Sequence, residues 1–258
     1  MGMPAERMEN ELAPLERFRA EVAEDLLTLA VLHDRELDRE RILALWDGCY
    51  SEFLGLRLSS EQGRDALSGF RKGLTDIPTT LEQQTLDILA ADYADIYLNH
   101  SFRASPCESV WIDEENLIMQ EPMFQIRDHY KEHGLEVPDW RQRTDDHLVY
   151  QLQFLSQLLD SASPESELEP AARFMDEHVL RWIGAFAERV SARCVTGFYA
   201  GLAQLTAAYL EELRDVLAEI LDQPRPDAEE IEQRMRPKMA GVAVEAPAPY
   251  VPGAAPSW

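Results

Sequence analysis

Cysteine is scarce in this sequence, and its spacing excludes two kinds of small structural site. The 258 residues include three cysteines, Cys49, Cys107 and Cys194, with no CxxC pair. An odd number of widely separated cysteines excludes a disulfide framework and an ordinary zinc knuckle, and it is typical of a reducing compartment. The chain also lacks an apolar run of about 18 residues and an apolar signal segment near its start. These absences predict a cytoplasmic protein without stable membrane insertion.

Positive charge is also in short supply. Lys and Arg number 24 against 48 Asp and Glu, which gives a formal net charge of −24. Such a surface repels phosphate backbones and anionic lipids, so we expect neither nucleic acid nor a membrane surface as a partner. The acidity fits a solubilising surface, and it equally fits the attraction of a positively charged peptide or protein. The composition leaves these two interpretations open.

Alternating β-branched patterns are absent, whereas apolar residues recur at helical spacing. Ile42, Leu45 and Cys49 belong to one such stripe, and Asp38 is expected to cap that helix. The pattern predicts an all-α fold, with a single helical-bundle domain of about ten helices over residues 12–222 and a flexible segment at residues 1–11. Seven of the fifteen prolines fall in the last 35 residues. This composition predicts a disordered Pro/Ala-rich tail at residues 223–258.

Common enzyme motifs are absent from the sequence, apart from one zinc-binding pattern. The chain contains no G-x-S-x-G, P-loop or dinucleotide-binding glycine motif. The segment HYKEH matches the inverted zincin pattern and would make His129, Glu132 and His133 a zinc site. Gly134 follows at once, however, and no third ligand is identifiable. A solvated helix end is the favoured interpretation, and a zinc hydrolase is the lesser alternative.

The segment TDDHLVYQLQFLSQLL combines metal-binding or proton-moving side chains with a helical leucine stripe. Thr144 is expected to cap the helix, with Asp145 and Asp146 in its first turn, where carboxylates complement the helix dipole. This interpretation does not explain His147, because a cation there would oppose the dipole. The pattern therefore permits a helix start, a chemical site or a docking point. The buried stripe should contain Leu148, Leu152, Leu155 and Leu159.

Several segments together, in this order and spacing, resemble the TorD/DmsD family of cytoplasmic redox-enzyme maturation chaperones. The resemblance covers roughly residues 80–215. It rests on DYADIY, SPCESVW, MFQIRDHYKEHGL, TDDHLVYQLQFLSQLL, FMDEHVLRWIGAFAERV and GFYAGLAQLTAAYL. Thr144 stands where the family usually has proline, and both residues suit a helix start.

The resemblance implies a binding site for the twin-arginine leader of a molybdenum enzyme. Asp146 and His147 match the Asp-His pair that the family uses in leader binding, and three aromatic positions accompany it. The implied leader-binding residues are Asp146, His147, Tyr93, Tyr97 and Trp111. Arginine pairs with carboxylates and stacks on aromatic faces, and the apolar part of a leader fits a groove. The residue types therefore suit the implied ligand.

The function implied by the resemblance is that of a chaperone rather than an enzyme. Such a protein would bind the leader and the apo form of a molybdopterin-dependent oxidoreductase catalytic subunit, assist cofactor insertion and prevent premature export. It would hold no cofactor or metal of its own. The resemblance also implies weak GTP binding and a monomer or a domain-swapped dimer hinged near residues 134–146. An alternative is a NarJ-like assembly chaperone for a subunit that is not exported.

Overall fold

The computed structural model describes residues 5–47, 54–99, 101–161 and 168–236. Within these ranges the chain forms eleven α-helices, a π-helical turn at Ala94–Leu98 and a 3₁₀ turn at Val179–Arg181. The described residues contain no β-strand, which confirms the predicted all-α class. The helices are α1 Ala5–Asp34, α2 Arg39–Asp47, α3 Glu61–Thr75, α4 Gln83–Tyr93, α5 Ser109–Ile112, α6 Glu121–Glu132, α7 Leu148–Ser161, α8 Glu169–Glu177, α9 Ile183–Ser191, α10 Gly197–Leu221 and α11 Ala228–Met235.

The hydrophobic core lies along α10. This helix packs against α3 and α9, while α1 packs along α7. The largest side chains that are fully buried include Trp182, Tyr199, Tyr209, Phe70 and Phe186. Full burial of a large apolar side chain contributes about 1.5–3 kcal/mol, so this aromatic-rich centre is a main source of stability.

The leucine stripe predicted for α7 is confirmed. Leu148, Leu152, Leu155 and Leu159 are all fully buried. A three-to-four residue spacing places them on one side of the helix, which faces α1 and the rest of the core. The capping residue predicted for α2 is also confirmed, because the Asp38 carboxylate accepts the Arg41 N–H at 2.9 Å. Local helical patterns were therefore sufficient for these two elements.

Two glycines let α3 and α10 approach each other closely. A Cβ atom on Gly73 would lie 2.3 Å from the carbonyl oxygen of Gly197, and one on Gly201 would lie 2.7 Å from the Cα of Phe70. Both distances are far inside van der Waals contact with backbone atoms, which cannot move aside as a flexible side chain can. The helix crossing therefore requires glycine at these positions.

The predicted ends of the domain need correction. The tail was expected to be disordered from residue 223, but the chain continues through α11, whose first turn is capped by the Asp227 carboxylate. Arg225 binds the carboxylates of Glu211 and Asp215 on α10, and Glu232 pairs with Arg181 at 2.6 Å. Charged pairs rather than apolar burial hold this segment, so an apolar pattern did not indicate it. Residues 237–258 of the predicted tail lie outside the described residues.

At the other end, α1 begins at Ala5, inside the stretch 1–11 that was predicted to be flexible. Its first residues include Ala, Glu, Met and Leu, which favour helix. Among the residues that the structure describes, no helix is both long and apolar enough to cross a membrane.

Candidate peptide-binding site

The segment between α6 and α7, residues 133–147, is called here the α6–α7 connection. Gly134 has a φ of +70°, a conformation that glycine adopts without strain, and the chain turns there as α6 ends. The Leu135 N–H then donates to the carbonyl of Tyr130 at 2.8 Å. At the other end of the connection, the Tyr130 hydroxyl donates to the carbonyl of Asp145 at 3.0 Å. One side chain of α6 thus helps to fix the return of the chain toward α7.

Asp146 is completely buried, and both of its carboxylate oxygens are occupied. One oxygen accepts the Ser109 N–H at 2.8 Å, and the other accepts the Thr144 hydroxyl at 2.5 Å. The Asp146 carbonyl also accepts the N–H of Glu108 at 3.1 Å and the side-chain amide of Gln151 at 2.9 Å. Asp146 therefore ties the start of α5 to the start of α7 instead of facing solvent.

His147 is the residue that caps α7. Its Nδ1 accepts the Val149 N–H at 3.2 Å, which satisfies a free backbone donor of the first turn. Since a backbone N–H can only donate, Nδ1 must carry the lone pair. The predicted cap at Thr144 is wrong, because its hydroxyl donates to Asp146 and α7 begins four residues later. Because Nδ1 of His147 accepts a hydrogen bond from the helix, an imidazole suits this position at the helix N-terminus.

A buried polar cluster lies next to this helix start, and the sequence did not indicate it. Nδ1 of His178 donates to the Glu108 carboxylate at 3.0 Å, and the Gln151 amide donates to the other Glu108 oxygen at 3.1 Å. The three side chains are fully buried. The His129 ring stands edge-on to that of His178, with 5.3 Å between centroids. Burial, followed by the neighbouring His178, lowers the pKa of His129.

The HYKEH segment does not gather metal ligands. The His129 ring packs against Phe174 and His178, whereas the His133 ring lies 5.2 Å from that of Phe154 and its Nδ1 bonds the carbonyl of His129. Nowhere in the described ranges do three or more His, Cys, Asp or Glu side chains form a group that could hold a metal ion. The geometry therefore gives the zinc-hydrolase interpretation no support.

Tyr93 and Tyr97 lie in the core near α1 and α10. The Tyr93 hydroxyl donates to the carbonyl of Asp34 at 2.7 Å, and the two tyrosine rings are 4.8 Å apart. The Tyr97 hydroxyl bonds Nδ1 of His33 at 2.5 Å, and Nε2 of His33 lies 2.8 Å from the Thr206 hydroxyl. Burial raises the pKa of Tyr97 well above its usual range. Both tyrosines therefore act as interior walls in this structure.

The remaining aromatic position, Trp111, is half-buried on α5. Its indole N–H donates to the carbonyl of Ser105 at 2.8 Å, and its ring stands edge-on to Phe186. The Arg189 guanidinium lies 5.2 Å from the centroid of the same ring. Trp111 lies on the same short helix as Ser109, whose N–H is bound by Asp146.

One polar path relates the tyrosines to the α6–α7 connection. Arg143 of the connection binds the carboxylate of Asp34, whose carbonyl accepts the Tyr93 hydroxyl. The Arg143 guanidinium also lies 5.6 Å from the centroid of the Tyr150 ring, and His147 packs against that ring. The structure therefore places Asp146, His147 and Trp111 near the start of α5. Tyr93 is joined to the α6–α7 connection indirectly, through Asp34 and Arg143.

Two cavities flank the α6–α7 connection. The larger, of about 400 Å³, is walled mainly by apolar side chains such as Pro138, Tyr150 and Phe154, and its wall also includes Asp34. The smaller, of about 320 Å³, includes Asp145 in its wall. The two share four wall residues, Tyr130, Leu135, Glu136 and Val137. The two cavities are therefore neighbours along the α6–α7 connection.

The wall of the smaller cavity includes the Arg127 guanidinium, which is bound by a carboxylate and lies near two aromatic rings. Nε and Nη2 of Arg127 donate to the two oxygens of Asp145, at 3.2 and 2.8 Å. The same guanidinium lies 5.5 Å from the Phe124 ring centroid and 5.2 Å from that of Trp140. The hydrogen bonds to Asp145 raise the pKa of Arg127. The sequence interpretation missed this group, because it treated Asp145 as a helix-capping residue.

Neither described cysteine is an activated nucleophile. Burial raises the pKa of the Cys107 thiol to about 12, and the nearby Asp146 carboxylate acts in the same direction. Burial likewise raises the pKa of Cys194 to about 12. A thiol must ionise to attack, so these two are structural. Cys49 lies outside the described residues.

Comparison with known proteins connects this architecture to one family. The family model described as nitrate reductase delta subunit matches residues 63–188. The chain is 30% identical over 226 residues to the chaperone protein TorD of Vibrio cholerae serotype O1 (Classical Ogawa 395), covering 84% of this chain and 99% of that one. It is 25% identical over 203 residues to TorD of Photobacterium profundum, covering 75% and 93% of the two chains. A third TorD relative, from Aliivibrio salmonicida, is 25% identical over 210 residues, with 78% and 95% coverage.

Proposed function

Because this chain belongs to the TorD/DmsD family of redox-enzyme maturation chaperones, we propose that it binds a twin-arginine leader at the α6–α7 connection. The leader belongs to the catalytic subunit of a molybdopterin-dependent oxidoreductase. Binding of the leader and the apo subunit in the cytoplasm assists cofactor insertion and delays export. In this role the protein performs no catalysis of its own.

The observation that carries the proposal is the pair of neighbouring cavities that share Leu135, Glu136 and Val137 as wall residues. A twin-arginine leader combines two guanidinium groups with an apolar run that can form a helix. The larger cavity offers Tyr150 and Phe154 to apolar side chains, and the smaller offers a carboxylate beside aromatic rings. This division of chemistry matches the two parts of the ligand.

In this proposal, the five residues implied by the family resemblance act mainly by holding the connection and its surroundings in place. Asp146 and His147 hold the inner end of the connection, where Asp145 begins the wall of the smaller cavity. Trp111 packs in the loop that Asp146 fixes, and Tyr93 and Tyr97 form the wall behind Asp34. Their substitution would weaken leader binding by moving the connection. The net charge of −24 supports the proposal further, since it attracts a dibasic peptide at long range.

The test is calorimetric titration of the full chain with a synthetic twin-arginine leader peptide. A matched peptide replaces both arginines by glutamine, and a second one replaces two leucines of the apolar run by serine. We expect saturable binding of the parent peptide and a loss of at least about tenfold in affinity for each altered peptide, since both parts are recognised. The absence of binding by the parent peptide would contradict the proposal.

A second candidate function rests on the description of the matched family model, which names a nitrate reductase delta subunit. A NarJ-like chaperone would serve a molybdoenzyme subunit that is not exported, so its ligand would lack the arginine pair. In that case the glutamine peptide should bind as well as the parent. Capture of the client from the native cells, followed by sequencing of its N-terminus, separates the two functions directly.

Two further properties implied by the family stay predictions. A domain-swapped dimer would exchange helices through a hinge near residues 134–146, and sedimentation at several protein concentrations would reveal it. Weak GTP binding would appear as saturable quenching with a fluorescent GTP analogue.

A further inference from the structure

Arg127 has the chemistry of the ligand that the smaller cavity is proposed to receive. Its guanidinium forms a two-point hydrogen bond with Asp145 and lies over the rings of Phe124 and Trp140. A leader arginine would seek this same combination of carboxylate fork and aromatic faces. The Asp145 carboxylate beside the cavity is therefore already paired with a side chain of the protein itself.

The exposure of the partners shows which of them can move. The Asp145 side chain is 4% exposed, whereas that of Arg127 is 24% exposed. Phe124 and Trp140 are 47% and 37% exposed. A carboxylate this deeply buried is paired for most of the time, because an unpaired buried charge is unfavourable. Arg127, at the surface end of the pair, can rotate into solvent without opening the core.

We propose that Arg127 occupies the position of a leader arginine while no leader is bound. When the leader binds, its arginine displaces Arg127 from Asp145, Phe124 and Trp140. This inference rests on the proposed function, since it names the position taken by one arginine of the leader. While the leader is absent, Arg127 keeps Asp145 paired and the connection in place. When the leader is present, Arg127 lowers its apparent affinity by competition.

The competition also favours arginine over lysine. The leader must replace a two-point guanidinium contact, and an ammonium group can form neither the planar fork nor the same stack. A lysine ligand would therefore exchange a stronger internal contact for a weaker external one. Peptides that present a single exposed lysine would therefore be rejected, because their ammonium group competes poorly with Arg127.

The first test compares leader affinity among variants by calorimetry. Arg127→Ala should bind the twin-arginine peptide about tenfold more tightly, as expected if Arg127 leaves Asp145 free about a tenth of the time. Arg141→Ala is the matched control, because the Arg141 guanidinium lies 5.1 Å from the same Trp140 ring while the Arg127–Asp145 pair stays intact. Equal tightening in both variants would mean a general charge effect and would overturn the inference. Weaker binding by Arg127→Ala would also overturn it.

The second test does not require a leader. Ethylguanidinium chloride, at concentrations far below those that denature proteins, is added to Arg127→Ala and the melting temperature is measured. We expect the melting temperature to rise in Arg127→Ala and to stay unchanged in the parent and in Arg127→Ala with Asp145→Asn. No rise in Arg127→Ala would show that the position does not accept a free guanidinium and would overturn the inference.

The two tests separate failure of this inference from failure of the proposed function. If the parent chain does not bind the leader, the proposed function fails and the ethylguanidinium result alone decides whether the guanidinium position exists. If the parent binds and Arg127→Ala binds equally well, leader binding stands and displacement fails. If Arg127→Ala is poorly folded, Arg127→Lys keeps the charge while losing the fork, and it should also bind the twin-arginine peptide more tightly than the parent.

Discussion

The Glu108 carboxylate accepts a 3.0 Å hydrogen bond from Nδ1 of His178, and both side chains are completely buried. The pair joins the start of α5 to the end of α8 across 70 positions of sequence. Gln151 of α7 donates to the other Glu108 oxygen, so three helices meet at one carboxylate. This contact stabilises the structure behind the α6–α7 connection.

Loss of the imidazole should therefore be costly. We expect His178→Ala to lower the free energy of unfolding by about 1–3 kcal/mol, because it removes one of the two side-chain hydrogen bonds to the buried Glu108 carboxylate. His178→Asn is the matched control, since its amide can still donate toward Glu108. Urea unfolding of the parent, His178→Ala, Glu108→Gln and the variant with both changes forms a double-mutant cycle, and His178→Asn is measured beside them. A coupling near zero would show that the two side chains do not act as a pair.

His33 should make stability depend on pH. Complete burial lowers the pKa of His33 to about 3 from 6.5. The unfolded chain therefore binds the proton more readily, so stability from the neutral ring is present above pH ~6.5 and is lost as the pH falls toward 3. We expect the free energy of unfolding to fall by about 2 kcal/mol between pH ~6.5 and ~5 from this residue alone.

Two variants isolate the His33 effect. His33→Gln removes the titrating ring and should flatten this part of the pH profile. Tyr97→Phe removes the hydrogen bond to Nδ1 while His33 stays buried, so stability should drop at every pH and the slope should persist. An unchanged slope in His33→Gln would mean that another group causes the acid sensitivity.

Two glycines of α3 should respond in opposite directions to alanine. Gly73→Ala would place a Cβ 2.3 Å from the Gly197 carbonyl oxygen, and we expect a loss of about 1–3 kcal/mol or more. Gly69→Ala meets nothing within 4 Å and should gain about 0.5–1 kcal/mol from helix propensity. Thermal unfolding of the two variants checks the close crossing of α3 and α10. A similar response at both positions would contradict it.

Substitutions at Asp146 test whether this residue supports leader binding by holding the connection in place or by direct contact of its charge with the leader. Asp146→Ala leaves the buried Ser109 N–H without an acceptor, and we expect a loss of about 1–3 kcal/mol in stability together with weaker leader binding. Asp146→Asn can still accept that N–H and can donate to the Thr144 hydroxyl, so it should keep most of both. Loss of leader binding in a well-folded Asp146→Asn protein would show instead that the charge itself contacts the leader.

Local patterns predicted the helices well and the contacts between them poorly. The stripe on α7 could be predicted because helix periodicity depends only on near neighbours, and Asp38 because a cap lies within three residues of its partner. The partner of Asp146, Ser109, lies 37 positions away, and that of Glu108 lies 70 away. Such pairs depend on how the helices pack, which no local pattern contains.

The capping histidine and the internal arginine show a second limit of sequence interpretation. Asp145, Asp146 and His147 are three adjacent polar residues, yet they have three separate roles. One holds Arg127, one fixes Ser109 and one caps α7. Residue type alone cannot separate these roles, because each depends on the direction in which the side chain leaves the turn. The family resemblance indicated this segment as a binding site without indicating the individual contacts.

Amide hydrogen exchange with and without a twin-arginine leader peptide tests leader binding at the α6–α7 connection most directly. We predict that added protection is concentrated in residues 133–147 and in the first turn of α7, around the two cavities that share Leu135 and Val137. The comparison region is a third cavity, of about 720 Å³, which lies between α3 and α10 and has Asp65 and Gly69 in its wall. Protection at that cavity, with none at the α6–α7 connection, would contradict leader binding at the connection.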